Sequence, residues 1–179
     1  MAASDILFAL GVMGRVCLGL VFLTAAIEKL RHGSVLEGVV ADYRILPGGL
    51  VAPVSAALPW VELVLGATLL MLVPSIWPPA AGIALLCIFA WAMSVNLWRG
   101  RSHIDCGCHQ AAMRQTLRWS LVARNFGLVL LLAPALAQEA SISSLPLIAV
   151  GGLAGAVAYL LYLIFNTLAS LPNLNRTVA

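Results

Sequence analysis

The sequence predicts an all-α membrane protein, a polytopic bundle of about five transmembrane helices forming one domain over residues 1–179. Of its 179 residues, 62% are hydrophobic and 9% charged, against roughly 25% charged in a soluble domain. The charges are also confined, with no Asp, Glu, Lys or Arg in residues 63–98 or 140–175. Each run exceeds the roughly 20 apolar residues that cross a bilayer as a helix. Residues 63–98 are too many for one crossing and are interrupted by Pro74, Pro78 and Pro79, so that run folds back as a helical hairpin.

The spans follow in order at about 6–30, 51–73, 79–98, 117–137 and 145–168, since only helices or closed barrels satisfy backbone polar groups in lipid. Residues 1–5 lack the basic start of a secretory signal and the apolar run behind them carries Arg15, so the first run is expected to be retained as a span. In the first loop, Val35, Leu36, Val39, Val40, Tyr43 and Leu46 recur at helical spacing with Glu37, Asp42 and Arg44 between them. That pattern predicts a short helix over about 34–46 lying at the membrane interface. Trp77, Trp91, Trp98 and Trp119 fall mostly near span ends, as interface anchors do.

The net charge of +3 would suggest nucleic acid in a soluble chain. Here the basic residues flank spans and act as topology signals, so the partner they imply is membrane lipid and not nucleic acid. With five crossings, Lys29, Arg31, Arg44, Arg99, Arg101, Arg114, Arg118 and Arg176 share one side and the other side has no Lys or Arg. By charge alone the third loop faces the cytoplasm.

That third loop carries Cys106-Gly107-Cys108, the one concentration of reactive chemistry in the chain. A thiolate attacks a disulfide sulfur to give a mixed disulfide, which a second nearby thiolate resolves. Cys106 and Cys108 are placed to be attacker and resolver, and Gly107 allows the backbone angles a small ring needs. Arg101, His103 and His109 favour the thiolate, while Asp105 opposes it. Two other uses compete: a non-enzymatic scaffold, and a metal site built from His103, Cys106, Cys108 and His109. The spacing is tighter than the usual zinc pattern, so copper(I) is the better metal candidate of the two. Cys17 and Cys87 lie at similar depth in the first and third spans and form a possible second pair, although a buried Cys is commonly a small packing residue.

Ionisable groups inside a bilayer are costly and usually face the bundle interior. Arg15, Glu62 and Arg124 are such groups, with Glu28 and Lys29 ending the first span. Counting helical rise puts Glu62 and Arg124 at similar depth, which predicts an ion pair between the second and fourth spans. Arg15, lying deeper, is expected to share Glu62 or meet a lipid headgroup. The three serve either as a structural clamp or as support for redox chemistry near the cysteines.

Several local features occur in a fixed order: Arg15 with Gly19, Glu28-Lys29-Leu30, Tyr43-Arg44-Ile45-Leu46-Pro47, Glu62, Asn96-Leu97-Trp98-Arg99-Gly100-Arg101, Asp105-Cys106-Gly107-Cys108, and Arg124-Asn125. Over about residues 10–135 this set resembles the methylamine-utilisation protein MauE family, within the DoxX-like group of small redox-associated membrane proteins. The resemblance implies a bacterial inner-membrane protein that supports maturation of the disulfide-rich small subunit of methylamine dehydrogenase, with a thioredoxin-like partner, MauD. It also makes Cys106 and Cys108 the redox pair and puts their loop in the periplasm, opposite to the charge bias. The layout of a four-helix core with a cysteine pair before the fourth span is similar to bacterial relatives of vitamin K epoxide reductase, which implies quinone as a possible cofactor.

Overall fold

The computed structural model describes residues 3–101, 117–137 and 145–174. They form six helices: α1 (Ala3–Arg31), α2 (Gly33–Asp42), α3 (Gly48–Leu70), α4 (Trp77–Trp98), α5 (Trp119–Leu132) and α6 (Leu145–Leu174). A 3₁₀ turn (Ala133–Ala137) extends α5, and there is no strand among the described residues. Five stretches are long and apolar enough to cross a membrane: Ser4–Arg31, Gly48–Leu70, Trp77–Trp98, Trp119–Ala137 and Leu145–Leu168. The chain is therefore a multi-pass membrane helical bundle.

Prolines punctuate these helices. Pro47 stands at the N-cap of α3 with extended ψ, and Pro78 and Pro79 open α4, where a missing N–H costs nothing because the first turn has no partner for it. Pro134 falls just after α5 and forces the tighter 3₁₀ turn. Pro59 lies inside α3, which a bilayer helix tolerates when neighbouring groups serve the freed backbone.

α1 is the hub, packing most extensively against α3 and α6. Lipid tails give apolar helices no net gain for associating, so close backbone approach supplies the contact instead. At the α1–α3 crossing, a Cβ on Gly19 would lie 3.1 Å from the Gly66 carbonyl oxygen, and one on Gly66 would lie 2.9 Å from that of Gly19. Gly151 and Gly155 of α6 approach the Ala9 and Met13 carbonyls of α1 in the same way, at 2.8 and 2.7 Å. Around these crossings Leu18, Phe22, Leu69, Leu86 and Leu132 form the main buried cluster. A second cluster, Ala90, Met93, Leu117, Leu121 and Val122, lies between α4 and α5.

Arg15 is directed at backbone rather than at Glu62. It is buried and donates from Nη1 to the Val73 carbonyl at 2.6 Å and from Nη2 to the Ser75 carbonyl at 3.1 Å. Its target is the turn between α3 and α4, where Leu72 sits at φ +49°. A non-glycine residue there costs about 1–2 kcal/mol, and the two carbonyls fixed just after it help hold a conformation the chain does not favour. Arg15→Met is expected to destabilise the protein by about 1–3 kcal/mol through the lost carbonyl contacts. Adding Leu72→Gly should recover part of the loss, as read by thermal unfolding in detergent.

Candidate functional site

The neck below the third loop is built at both ends. α4 closes with Gly100 at φ +73°; the Arg101 amide donates to the Asn96 carbonyl and the Gly100 amide to that of Leu97, both at 3.0 Å. This pair of bonds is a Schellman stop, which glycine serves because it reaches the left-handed region without steric cost. On the return, Leu117 is buried in the α4–α5 cluster and Arg118 stands extended before α5. The Trp98 and Trp119 rings close the neck with centroids 6.2 Å apart. Arg99 Nη1 also reaches the Arg44 carbonyl at 3.4 Å, tying the first loop to the same end of the bundle. Cys106, Gly107, Cys108, His103 and His109 lie outside the described residues, as does the metal set drawn from them. Arg101 is described and stands, half-buried, at the exit from α4.

Within the bundle, Glu62 takes its ion pair from the end of α1: Lys29 Nζ donates to Oε1 at 2.5 Å. Glu62 is 1% and Lys29 9% exposed, so the pair is removed from lipid as well as water. The ammonium also sits 5.5 Å from the centre of the Phe89 ring, where the ring's negative face attracts it. Arg124 reaches the fifth span, donating from Nη1 to Asn166 Oδ1 at 2.7 Å and lying 5.7 Å from the Tyr162 ring. Equal depth brought Glu62 and Arg124 together in the sequence reading; the described contacts add Lys29 to the first and Asn166 to the second. Lys29 and Asn166 are the partners the sequence reading missed. Asn166, a buried amide within a charge-free span, was the available signal.

Beside the ion pair, α2 packs on α3, and a cavity of about 270 Å³ lies between α2, α3 and α4. Among the described residues Lys29 is the only charged one in its walls, the others being apolar and aromatic side chains of α2, the segment after it, α3 and α4. Trp91 lines this cavity rather than standing at a helix end. The remaining cysteines do not share a surface. Cys17 is buried in the main cluster with Leu86, whereas the next residue along α4, Cys87, is exposed, and both are free thiols.

Comparison with known proteins places this arrangement. The family model for the methylamine utilisation protein MauE matches residues 7–138. The chain belongs to the MauE family. It is 40% identical to a methylamine utilization protein MauE of Paracoccus denitrificans over 159 residues, covering 88% of this chain and 86% of that one. The MauE of Methylorubrum extorquens is 45% identical over 116 residues, covering 65% and 62% of the two chains. That of Methylophilus methylotrophus is 52% identical over 91 residues, covering 50% and 47%. No solved structure matches. The MauE match spans α1 to the 3₁₀ turn, and so takes in the neck, the ion pair and the cavity.

Proposed function

We propose that this membrane protein of methylamine utilisation exchanges thiols and disulfides through Cys106 and Cys108 with a thioredoxin-like, MauD-like partner in the bacterial inner membrane. The client is a disulfide-rich periplasmic subunit, that of methylamine dehydrogenase by resemblance. The observation that carries the proposal is the neck: α4 and α5 are closed on each other by the Schellman stop and the Trp98–Trp119 contact, and the segment between them holds the cysteine pair. Each exchange breaks one disulfide in the partner or the protein and forms one in the other, so thiols and disulfides balance.

The client's disulfides form in the periplasm, which puts the loop on that side, against the charge bias. A membrane-impermeant thiol reagent applied to intact cells should label the Cys106/Cys108 pair after reduction; labelling only after lysis would place the loop in the cytoplasm and refute this assignment.

Cys106→Ser with Cys108→Ser is expected to abolish maturation of the client while leaving the membrane level of the protein unchanged. The single Cys108→Ser variant should accumulate a mixed disulfide with the partner, visible on a non-reducing gel. Normal client maturation by the double variant would remove the redox role and leave a scaffold.

A further inference from the structure

We infer that the cavity between α2, α3 and α4 holds one acyl chain of an anionic phospholipid whose phosphate sits on Arg44 and Arg99. The described walls of this cavity, about 270 Å³ in volume, are apolar and aromatic apart from Lys29, and Lys29 is already held by Glu62 and the Phe89 ring. Such walls offer close hydrocarbon contact and ask for no polar partner, which suits an acyl chain. On α4 they extend from Leu85 to Met93, roughly 12 Å along the helix, so the space runs with the bilayer normal as a lipid tail does. Val54, Ile88 and Trp91 are wall residues that are also exposed on the outside of the bundle. A tail therefore enters sideways, without leaving the hydrocarbon.

The rim of the cavity selects the headgroup. Tyr43, Ile45 and Leu46 are wall residues, and Arg44 stands among them at φ +47°, a left-handed conformation that a non-glycine residue adopts only at a cost. Its carbonyl accepts from Arg99 Nη1 at 3.4 Å, which brings the Arg99 guanidinium to the same rim and leaves the rest of its N–H fork for another acceptor. Both arginines are exposed, and among the described residues neither has a carboxylate partner. Two like charges held together in this way attract an anion, and guanidinium forks match phosphate oxygens.

The depth of that rim agrees. Trp98 and Trp119 are exposed at the same end of the bundle, and such rings sit at the headgroup layer, so Arg99, the residue after Trp98, lies at the level of the phosphates. A phosphatidylcholine would bring the same tails and phosphate but also a cation towards the two arginines; a phosphatidylglycerol brings a net negative charge. Bound there, the lipid bridges the first loop and the end of α4. The site does not depend on the thiol exchange proposed above.

The test is native mass spectrometry of the purified full chain released from nanodiscs that hold dioleoylphosphatidylglycerol and dioleoylphosphatidylcholine in equal amounts. The wild-type chain is expected to keep one phosphatidylglycerol after its phosphatidylcholine has been stripped. Arg44→Gln and Arg99→Gln, both at exposed positions, should each cut that preference about fivefold. Leu58→Phe and, independently, Val39→Phe place a larger side chain in the cavity and should weaken retention of both lipids about tenfold, or about 1.4 kcal/mol, without changing the preference. Retention of the folded helical bundle by either cavity variant is enough for that comparison. Glycerol 1-phosphate, which has the phosphate and no tails, should displace nothing when added in excess. Four results would each overturn the site: equal retention of the two lipids by wild type, a preference untouched in both arginine variants, retention unchanged in the folded cavity variants, and displacement by glycerol 1-phosphate, which would indicate a site for free phosphate.

Discussion

Glu62→Ala is expected to be the most damaging single substitution in the transmembrane bundle, because it leaves the Lys29 ammonium buried without its carboxylate. Removing one member of a buried ion pair costs about 3–5 kcal/mol, a large part of the 5–15 kcal/mol typical of a folded protein. The loss should appear as a collapse in the yield of folded protein and a lowered midpoint of unfolding in detergent. Lys29→Met with Glu62→Leu removes both charges and fills the space with apolar side chains, and such double replacements are often neutral or stabilising. The double variant should therefore recover most of the stability lost in Glu62→Ala. It also separates two roles for the pair. A stable double variant that still supports the proposed client maturation makes the pair a clamp between α1 and α3; a stable one that does not assigns it to the proposed chemistry.

The second large effect is expected at the α1–α3 crossing. In Gly66→Ala the new methyl would lie 2.9 Å from the Gly19 carbonyl oxygen, and backbone there cannot rotate away as a side chain can. The helices must separate, at a cost of about 1–3 kcal/mol for overpacking, and Gly66→Leu should cost more. Gly19→Ala meets the Gly66 carbonyl at 3.1 Å and also the Leu70 side chain. Both substitutions open the same crossing, so their effects should add to less than their sum. Gly127→Ala serves as the control. A Cβ there meets nothing within 4 Å, and an alanine inside a helix is favoured over glycine by roughly 0.5–1 kcal/mol. Thermal unfolding of the four variants in one detergent reads the whole series; a Gly66→Ala protein as stable as Gly127→Ala would contradict the close approach.

The parts of this fold that were legible in the sequence are those set by length and composition. Charge-free runs gave the spans, and Pro74, Pro78 and Pro79 marked where one span turns back into the next, because a missing N–H restricts where proline can sit. The side chains that meet inside the bundle were less accessible. Lys29 ends one span and Glu62 lies within the next, and their pairing depends on the angle around each helix and on the crossing geometry, which are set by glycines such as Gly19 and Gly66. Arg15 was recognisable as an expensive buried charge, yet its partners are backbone carbonyls of a turn, and carbonyls carry no signature in side-chain sequence. The same holds for the cavity. The apolar face of α2 could be read, whereas its position against α3 and α4 depends on the tertiary path after Arg31.

The closed neck also sets how far the chain can extend its cysteines. Cys106 is five residues beyond Arg101, where the Schellman stop ends α4, and an extended chain spans at most about 3.3–3.6 Å per residue. The first sulfur is thus held on a tether of roughly 17 Å, with the second only two residues further along. Under the proposed thiol exchange, a tether that short would limit which proteins can be partners: the partner's own reactive sulfur would have to descend close to the bundle end. A thioredoxin-like domain anchored in the same membrane would spend its time within that radius, whereas a freely diffusing one would enter it only by collision.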